Sequence, residues 1–221
     1  MDKINVYFIS IGDRPFAKYA AQSWQEYGCR AVQITDEGTA AIEGINEVIR
    51  HPYRGHMMLF MIAAFAGIKD KEFITTGDDC IINAPLDHAI GGEFDVAICK
   101  RTKIKNEHIK KLPYTNGLVV VKHPFFYTDC LHDLLLNGDE DLWSWFGDME
   151  CIKNVVEKGG YIVKDLPEKR YCKKPRKVGQ GNDSVVLWHY AGPKRKAWME
   201  YHGQRARKLE AVSDKQNMAA M

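Results

Sequence analysis

The run Phe73-Ile74-Thr75-Thr76-Gly77-Asp78-Asp79-Cys80-Ile81-Ile82 is apolar and β-prone, breaks at two adjacent carboxylates and then resumes. An acidic pair at the C-terminal end of a buried strand is placed to hold a divalent cation over the edge of an open α/β sheet, where ligands of such folds bind. The same residues also read as a polar turn, because Gly and Asp are common turn formers. Far downstream, Val185-Val186-Leu187-Trp188-His189-Tyr190-Ala191-Gly192-Pro193-Lys194 is a second apolar run that ends in a candidate ligand, then Gly and a cation. Asp78, Asp79 and His189 therefore form a candidate metal set. Carboxylates suit Mg²⁺ and Mn²⁺, and a histidine among them is more compatible with Mn²⁺. The bland reading of His189 is a half-buried ring between Trp188 and Tyr190.

The elements that must position these residues alternate between β and α signals, the pattern of an α/β sheet. Residues 4–11 predict a strand, 15–27 a helix with proline in its first turn, and 31–35 a second strand. A short helix is expected over 39–48. A buried helix over 56–67 then feeds the Phe73 strand, so the carboxylates are expected after the third strand. Further strands are expected over 94–99, 117–122, 161–166 and 185–189, and a helix over 148–158 that Gly159-Gly160 closes. Residues 168–183 carry Lys, Arg, Gly and Pro with little periodicity and predict a mobile loop. The expected organisation is one domain over 1–210 and a flexible tail over 211–221.

With 221 residues, 45% of them hydrophobic, the chain has enough apolar material for one full core. Its net charge of +2 is too small to demand a nucleic-acid partner, but the cations are unevenly placed. Lys169, Arg170, Lys173, Lys174, Arg176 and Lys177 cluster, and Lys194, Arg195, Lys196, Arg205, Arg207 and Lys208 follow, so the basic surface belongs to the C-terminal quarter. Six cysteines without a close pair fit neither a zinc site nor a disulfide framework and read as free thiols in a reducing compartment. No signal-peptide core or bilayer-length apolar run is present, which predicts a soluble cytoplasmic protein without membrane insertion. The missing Gly-x-x-x-x-Gly-Lys-[Ser/Thr] loop argues against a P-loop enzyme.

The order of motifs resembles a family. An N-terminal Phe-Ile-Ser strand, the Asp-rich turn, Asn116-Gly117 before a later strand, Gly147-Asp148 opening a helix and a terminal His-x-x-Gly with cations are similar to compact glycosyltransferases of the GT-A fold. The layout resembles glycogenin-like and galactosyltransferase-like enzymes over residues 4–198. The resemblance implies a single-domain α/β, Rossmann-like mixed sheet flanked by helices. It also implies a metal ion, Mn²⁺ or Mg²⁺, and a nucleotide-sugar donor with UDP-glucose as the default.

Carried over residue by residue, the family's Asp-x-Asp places Gly77 at the first acid and Asp79 at the second, a departure from the pattern. Either Asp78 and Asp79 share the metal and ribose roles, or Asp79 alone ligates. The resemblance makes His189 a further ligand and Gly192 the close approach to phosphate. The family's lysine falls on Arg195, with Lys194 and Lys196 beside it. Phe8, Ile9 and Ser10 would meet the nucleobase and ribose, and Arg14 or Arg54 the phosphate or the Asp turn. Asn116 and Gly117 would line the sugar pocket, with Asp148 and Glu150 near the reaction centre. Asp148 reads equally as a helix cap, and the Trp143-Ser144-Trp145-Phe146 cluster as a stacking surface or as core.

In such a reaction negative charge grows on the departing diphosphate, which a metal and a cation stabilise. The His-x-x-Gly resemblance leans toward retention at the sugar. Basic C-terminal segments suit a polyanion, and the leading acceptor is a hydroxymethylated DNA base in a bacterium or virus-infected cell, which would require base extrusion. A cell-surface glycan acceptor, a nucleotidyltransferase and a non-catalytic nucleic-acid binder are the alternatives.

Overall fold

The computed structural model of the chain describes residues 3–101, 111–180 and 184–202. In chain order the elements are β1 (Asn5–Ile9), α1 (Ala17–Glu26), β2 (Arg30–Thr35), β3 (Glu47–Arg50), α2 (Met57–Ala66), β4 (Phe73–Gly77), β5 (Cys80–Ile82) and α3 (Asp87–Ile90). They continue with β6 (Val96–Lys100), β7 (Tyr114–Val121), α4 (Phe126–Asn137), α5 (Glu140–Ser144), α6 (Gly147–Lys158), β8 (Val163–Pro167), α7 (Glu168–Tyr171), β9 (Leu187–His189) and α8 (Pro193–Lys196).

Seven strands form a mixed sheet in the order β3-β2-β1-β4-β7-β6-β8. β7 runs antiparallel to both neighbours, and the other pairs are parallel. Apolar, β-branched strands of this kind need cover on both faces. α2, α4 and α6 supply one layer, with Phe60, Ile62, Phe65, Tyr127, Ile152 and Val155 in its core. Trp24 of α1 packs on the other face with Leu118, Val120 and Leu187. Each such buried side chain contributes about 2 kcal/mol relative to exposure. α2 is apolar around its whole circumference: Phe60, Ile62, Ala64 and Phe65 are buried, with α4, α5 and α6 as neighbours, while Met57, Met58 and Met61 border an open cleft.

Two expectations are corrected. Residues 39–48 do not form a helix. Gln33 accepts the Ile42 N–H at 2.8 Å and donates to the Ala40 carbonyl, while Asn46 accepts the Ala31 N–H, and these side-chain bonds replace helical ones. The segment ends instead in edge strand β3, so the carboxylates follow the fourth strand. Residues 168–183 are not wholly loop: α7 is a helical turn, Tyr171 and Cys172 are buried, and Lys173 bridges to Trp188. The sequence reading passed over α4, whose Phe126, Cys130 and Leu134 are buried at four-residue spacing. The proposed division at residue 210, with Arg205, Arg207 and Lys208, lies outside the described residues. Among the described residues no helix is long and apolar enough to cross a membrane.

Candidate active site

β4 ends at Gly77, and the chain leaves the main sheet through Asp78 and Asp79 before entering β5. β5 pairs antiparallel with β9 and sets Cys80 opposite His189. The backbone N–H of Tyr190 donates to the Asp79 carbonyl at 2.8 Å, so this small second sheet fixes His189 over the acidic turn. The turn forms the floor of an open cleft of about 1030 Å³. One end of the cleft is the loop between β1 and α1, and its far wall carries α2, β7 and the start of α6.

On the floor, Nε2 of His189 lies 3.4 Å from Asp79 Oδ1. Lys196 Nζ stands 3.3 Å from Asp79 Oδ2 and 3.8 Å from Asp78 Oδ1, and Arg14 Nε lies 3.7 Å from Asp78 Oδ2. The two carboxylates respond differently. Burial opposes ionising Asp79, but His189 and Lys196 outweigh it and hold the carboxyl well below the ordinary carboxylate range. Burial pushes Asp78 up, Lys196 opposes, and the charge of Asp79 adds to the rise. Burial also disfavours a charged His189, yet its neighbours Cys172 and Asp79 outweigh it and raise the ring. The Cys172 thiol is itself pushed up by its hydrogen bond with Cys99 and by burial, so Asp79 carries that effect. A proton on His189 thus balances Asp79 where a divalent ion between the two would do the same. The donor chemistry fits such an ion: a carboxylate oxygen and an imidazole nitrogen, partly exposed and facing the cleft.

Across the cleft, Phe146 adopts φ 62° and turns the chain into α6. Asp148 follows in the first helical turn, past the cap position, and is 8% exposed. Burial pushes its carboxyl up, opposed by the Met149 N–H, Asn116 and Arg101. Tyr127 donates to Asn116 Oδ1 at 3.4 Å and is hydrogen-bonded to Thr75. A buried polar chain therefore runs from the central strand to Asp148. Arg101 is held beside it by the carbonyls of Leu112 and Tyr114 at 2.7 and 3.0 Å.

Of the residues singled out in the sequence, Ile9, Arg14, Asp78, Asp79, Asn116, Gly117, Asp148, His189 and Gly192 line this cleft. Gly77, Ser144, Trp145 and Lys196 line it too, whereas Phe8, Ser10, Arg54, Glu150, Lys194 and Arg195 are not on its walls. Phe8 and Ser10 are 0% and 1% exposed: Phe8 packs with Ala21 and Ala31, and Ser10, just past the end of β1, lies behind the acidic turn against Asp78. Arg54 is not on the wall, although its neighbours Tyr53 and Gly55 are. Glu150 pairs with Lys153 at 2.9 Å. Lys194 sits over the Trp198 ring, and Arg195 donates to the carbonyls of Pro175 and Ala191. The short helix α8 delivers Lys196 instead. Trp145 borders the cleft at 71% exposure, whereas Trp143 packs on His56 and donates to Leu134. Arg101 gave no sequence signal, since Lys100, Lys103 and Lys105 surround it and the run reads as an ordinary solvated basic stretch.

No protein-family model matches the chain, and no curated protein is similar enough to count as a relative. Solved structures do match. A glycosyltransferase involved in glycosylation of the major capsid of PBCV-1 superposes with a TM-score of 0.61 at 11% identity, covering 90% of this chain and 99% of that one. The galactosyltransferase LgtC, solved with donor and acceptor sugar analogues, gives 0.59 at 9%, covering 91% and 96%. The inositol-1-phosphate CTP transferase of T. maritima gives 0.56 at 13%, covering 90% and 96%. At these identities the likeness concerns the fold, and the fold of this chain is that of the GT-A glycosyltransferases.

Proposed function

We propose that this chain is a metal-dependent glycosyltransferase that moves a sugar from a nucleotide-sugar donor, with UDP-glucose as the default, to an acceptor hydroxyl. The observation that carries the reading is the convergence of Asp79, His189 and Lys196 on one floor, with the buried carboxylate of Asp148 on the opposite wall. Asp79 and His189 would hold the ion, Mn²⁺ or Mg²⁺, and its positive charge would favour departure of the diphosphate. Lys196 and Arg14 stand beside the two carboxylates and complete that electrostatic cradle. Gly192, with φ 89°, gives the backbone a close approach to phosphate. Asn116 and Asp148 face the sugar, and retention is the outcome we assign.

The acceptor we favour is polyanionic, a hydroxymethylated DNA base. Supporting it are the cations Lys173, Lys174, Arg176 and Lys177 in the segment that leads into the site. Six unpaired, buried cysteines support a reducing, cytoplasmic setting, in a bacterium or virus-infected cell. The likeness to a CTP transferase keeps a nucleotidyltransferase as the second reading.

Thermal unfolding with UDP-, GDP-, CMP- and ADP-sugars, with and without Mn²⁺, tests the reading, since a ligand that binds the native state raises Tm. A metal-dependent rise with one nucleotide class is expected, followed by release of its nucleoside diphosphate or monophosphate when DNA carrying the modified base is added. Transfer to a glycan alone refutes the acceptor. Pyrophosphate release from a nucleoside triphosphate, with no response to any nucleotide sugar, selects the second reading.

A further inference from the structure

A sulfur stands just beneath the floor, beside the donor set: Cys80 is buried behind Asp79 and His189, which line the cleft. Cys80 and His189 are directly opposed in the β5–β9 pair, so their side chains share a face. Cys80 Sγ lies 3.8 Å from Asp79 Oδ1, and His189 Nε2 lies 3.4 Å from the same oxygen. The three candidate donor atoms all stand within 4.8 Å of one another. A tetrahedral ion with a metal–sulfur distance of about 2.3 Å and metal–nitrogen and metal–oxygen distances of about 2.1 Å separates its ligand atoms by roughly 3.4–3.6 Å. The observed spacings need little adjustment to meet that geometry. Octahedral Mg²⁺, with all-oxygen preference, makes no use of the sulfur.

We propose that Cys80 is a third protein ligand, so that Asp79, Cys80 and His189 form a tetrahedral site that takes Zn²⁺ or Co²⁺ ahead of Mg²⁺, with its fourth position open to the cleft. This rests on the reading of Asp79 and His189 as the metal site and specifies the class of ion. On binding, the Cys80 thiol releases its proton to solvent and the sulfur ligates as thiolate. Cys172 supplies the outer support: its Sγ lies 3.3 Å from Nδ1 of His189, on the other side of the ring from Asp79, and orients Nε2 toward the ion.

The test is a Co²⁺ titration of EDTA-treated, dialysed full-length chain, followed in the near-ultraviolet and visible. A sulfur-to-cobalt charge-transfer band that saturates at one equivalent is expected. Cys80→Ser should lose that band and weaken Zn²⁺ binding by about tenfold or more, with Mn²⁺ affinity little changed. Cys172→Ser should keep it. Cobalt bound without the band overturns the sulfur ligand while leaving the Asp79–His189 site standing, and a band that survives Cys80→Ser overturns it as well. No cobalt binding at all overturns both this proposal and the metal-dependent reading beneath it. Should Cys80→Ser fail to fold, Cys80→Ala, which suits this buried position better, is read in the same way: loss of the band assigns the sulfur to Cys80 and its survival overturns the proposal.

Discussion

Gly77 and Asp79 compete for one space: a Cβ on Gly77 would stand 2.7 Å from Asp79 Oδ1. The missing side chain is what lets the Asp79 carboxylate fold back toward His189 and Lys196. The position where the resemblance has its first acid is therefore glycine for a local steric reason. The single acid that remains has its own cation and imidazole around it.

Restoring the acid should consequently fail to restore the motif. Gly77→Asp is expected to weaken Mn²⁺ binding by about tenfold, in the range found when the support of a ligand is disturbed. Gly77→Ala should act in the same direction. Its unfolding free energy should change by only about 1 kcal/mol, because the group in the way is a side-chain end that can rotate. Free Mn²⁺ measured by electron paramagnetic resonance checks this, and an equal or tighter affinity in Gly77→Asp refutes it.

Lys196, rather than either of its basic neighbours, should serve the leaving group. Lys196→Met is expected to lower kcat/KM by about 10²-fold, the scale of removing one preorganised electrostatic contact. Lys194→Ala should stay within about twofold, since its ammonium lies over Trp198 and away from the cleft. Arg195→Ala should lower Tm more than turnover, because its guanidinium ties two carbonyls together. Initial rates of donor hydrolysis and of transfer separate the three.

Gly117 lies where any Cβ would overlap Cys172 Sγ, the sulfur that supports His189. Gly117→Ala is expected to cost about 1–3 kcal/mol by overpacking. Pairing it with Cys172→Ala should recover much of that loss, since the two sites share one space and their effects cannot add. Urea unfolding of both single variants and the double variant measures the coupling, and strict additivity counts against it.

What the sequence revealed follows from how local its signals are. Val6 and Phe8, or Phe73 and Ile74, announce strands because burial on a pleated surface selects apolar, β-branched and aromatic residues. The acidic turn was legible for the same reason, as polar residues breaking an apolar run. β3 was misread because Glu47–Arg50 is a four-residue edge strand, and the loop before it is tied to β2 by Gln33 of that strand and by Asn46 of the loop, which accepts the Ala31 N–H. Which cation reaches the floor was hidden as well. Lys194, Arg195 and Lys196 are adjacent in sequence, and only the rotation of about 100° per residue in α8 separates their directions. The support of Asp148 by Tyr127 and Thr75 joins residues 52 apart and has no sequence signature.

Asp148 offers a pH test whose sign is fixed by its burial. Its carboxyl is pushed up in the folded chain, against an ordinary value of about 3.9 in the unfolded one. The folded state therefore holds this proton more tightly. The contribution is fully present below about pH 4 and is lost as the pH rises through the folded value, at up to about 1.4 kcal/mol per pH unit. Asp148→Asn keeps the shape and removes the titration. Its Tm should match that of the unaltered chain near pH 3.5 and exceed it increasingly toward neutral pH, while transfer activity falls by about 10²-fold or more if the carboxylate acts at the sugar. A buried acid retained at a stability cost is what a reactive site requires and what packing alone would remove. A difference in Tm that stays flat across the range, or grows toward acid, would show that Asp148 does not bear this cost and would remove it from the reaction centre.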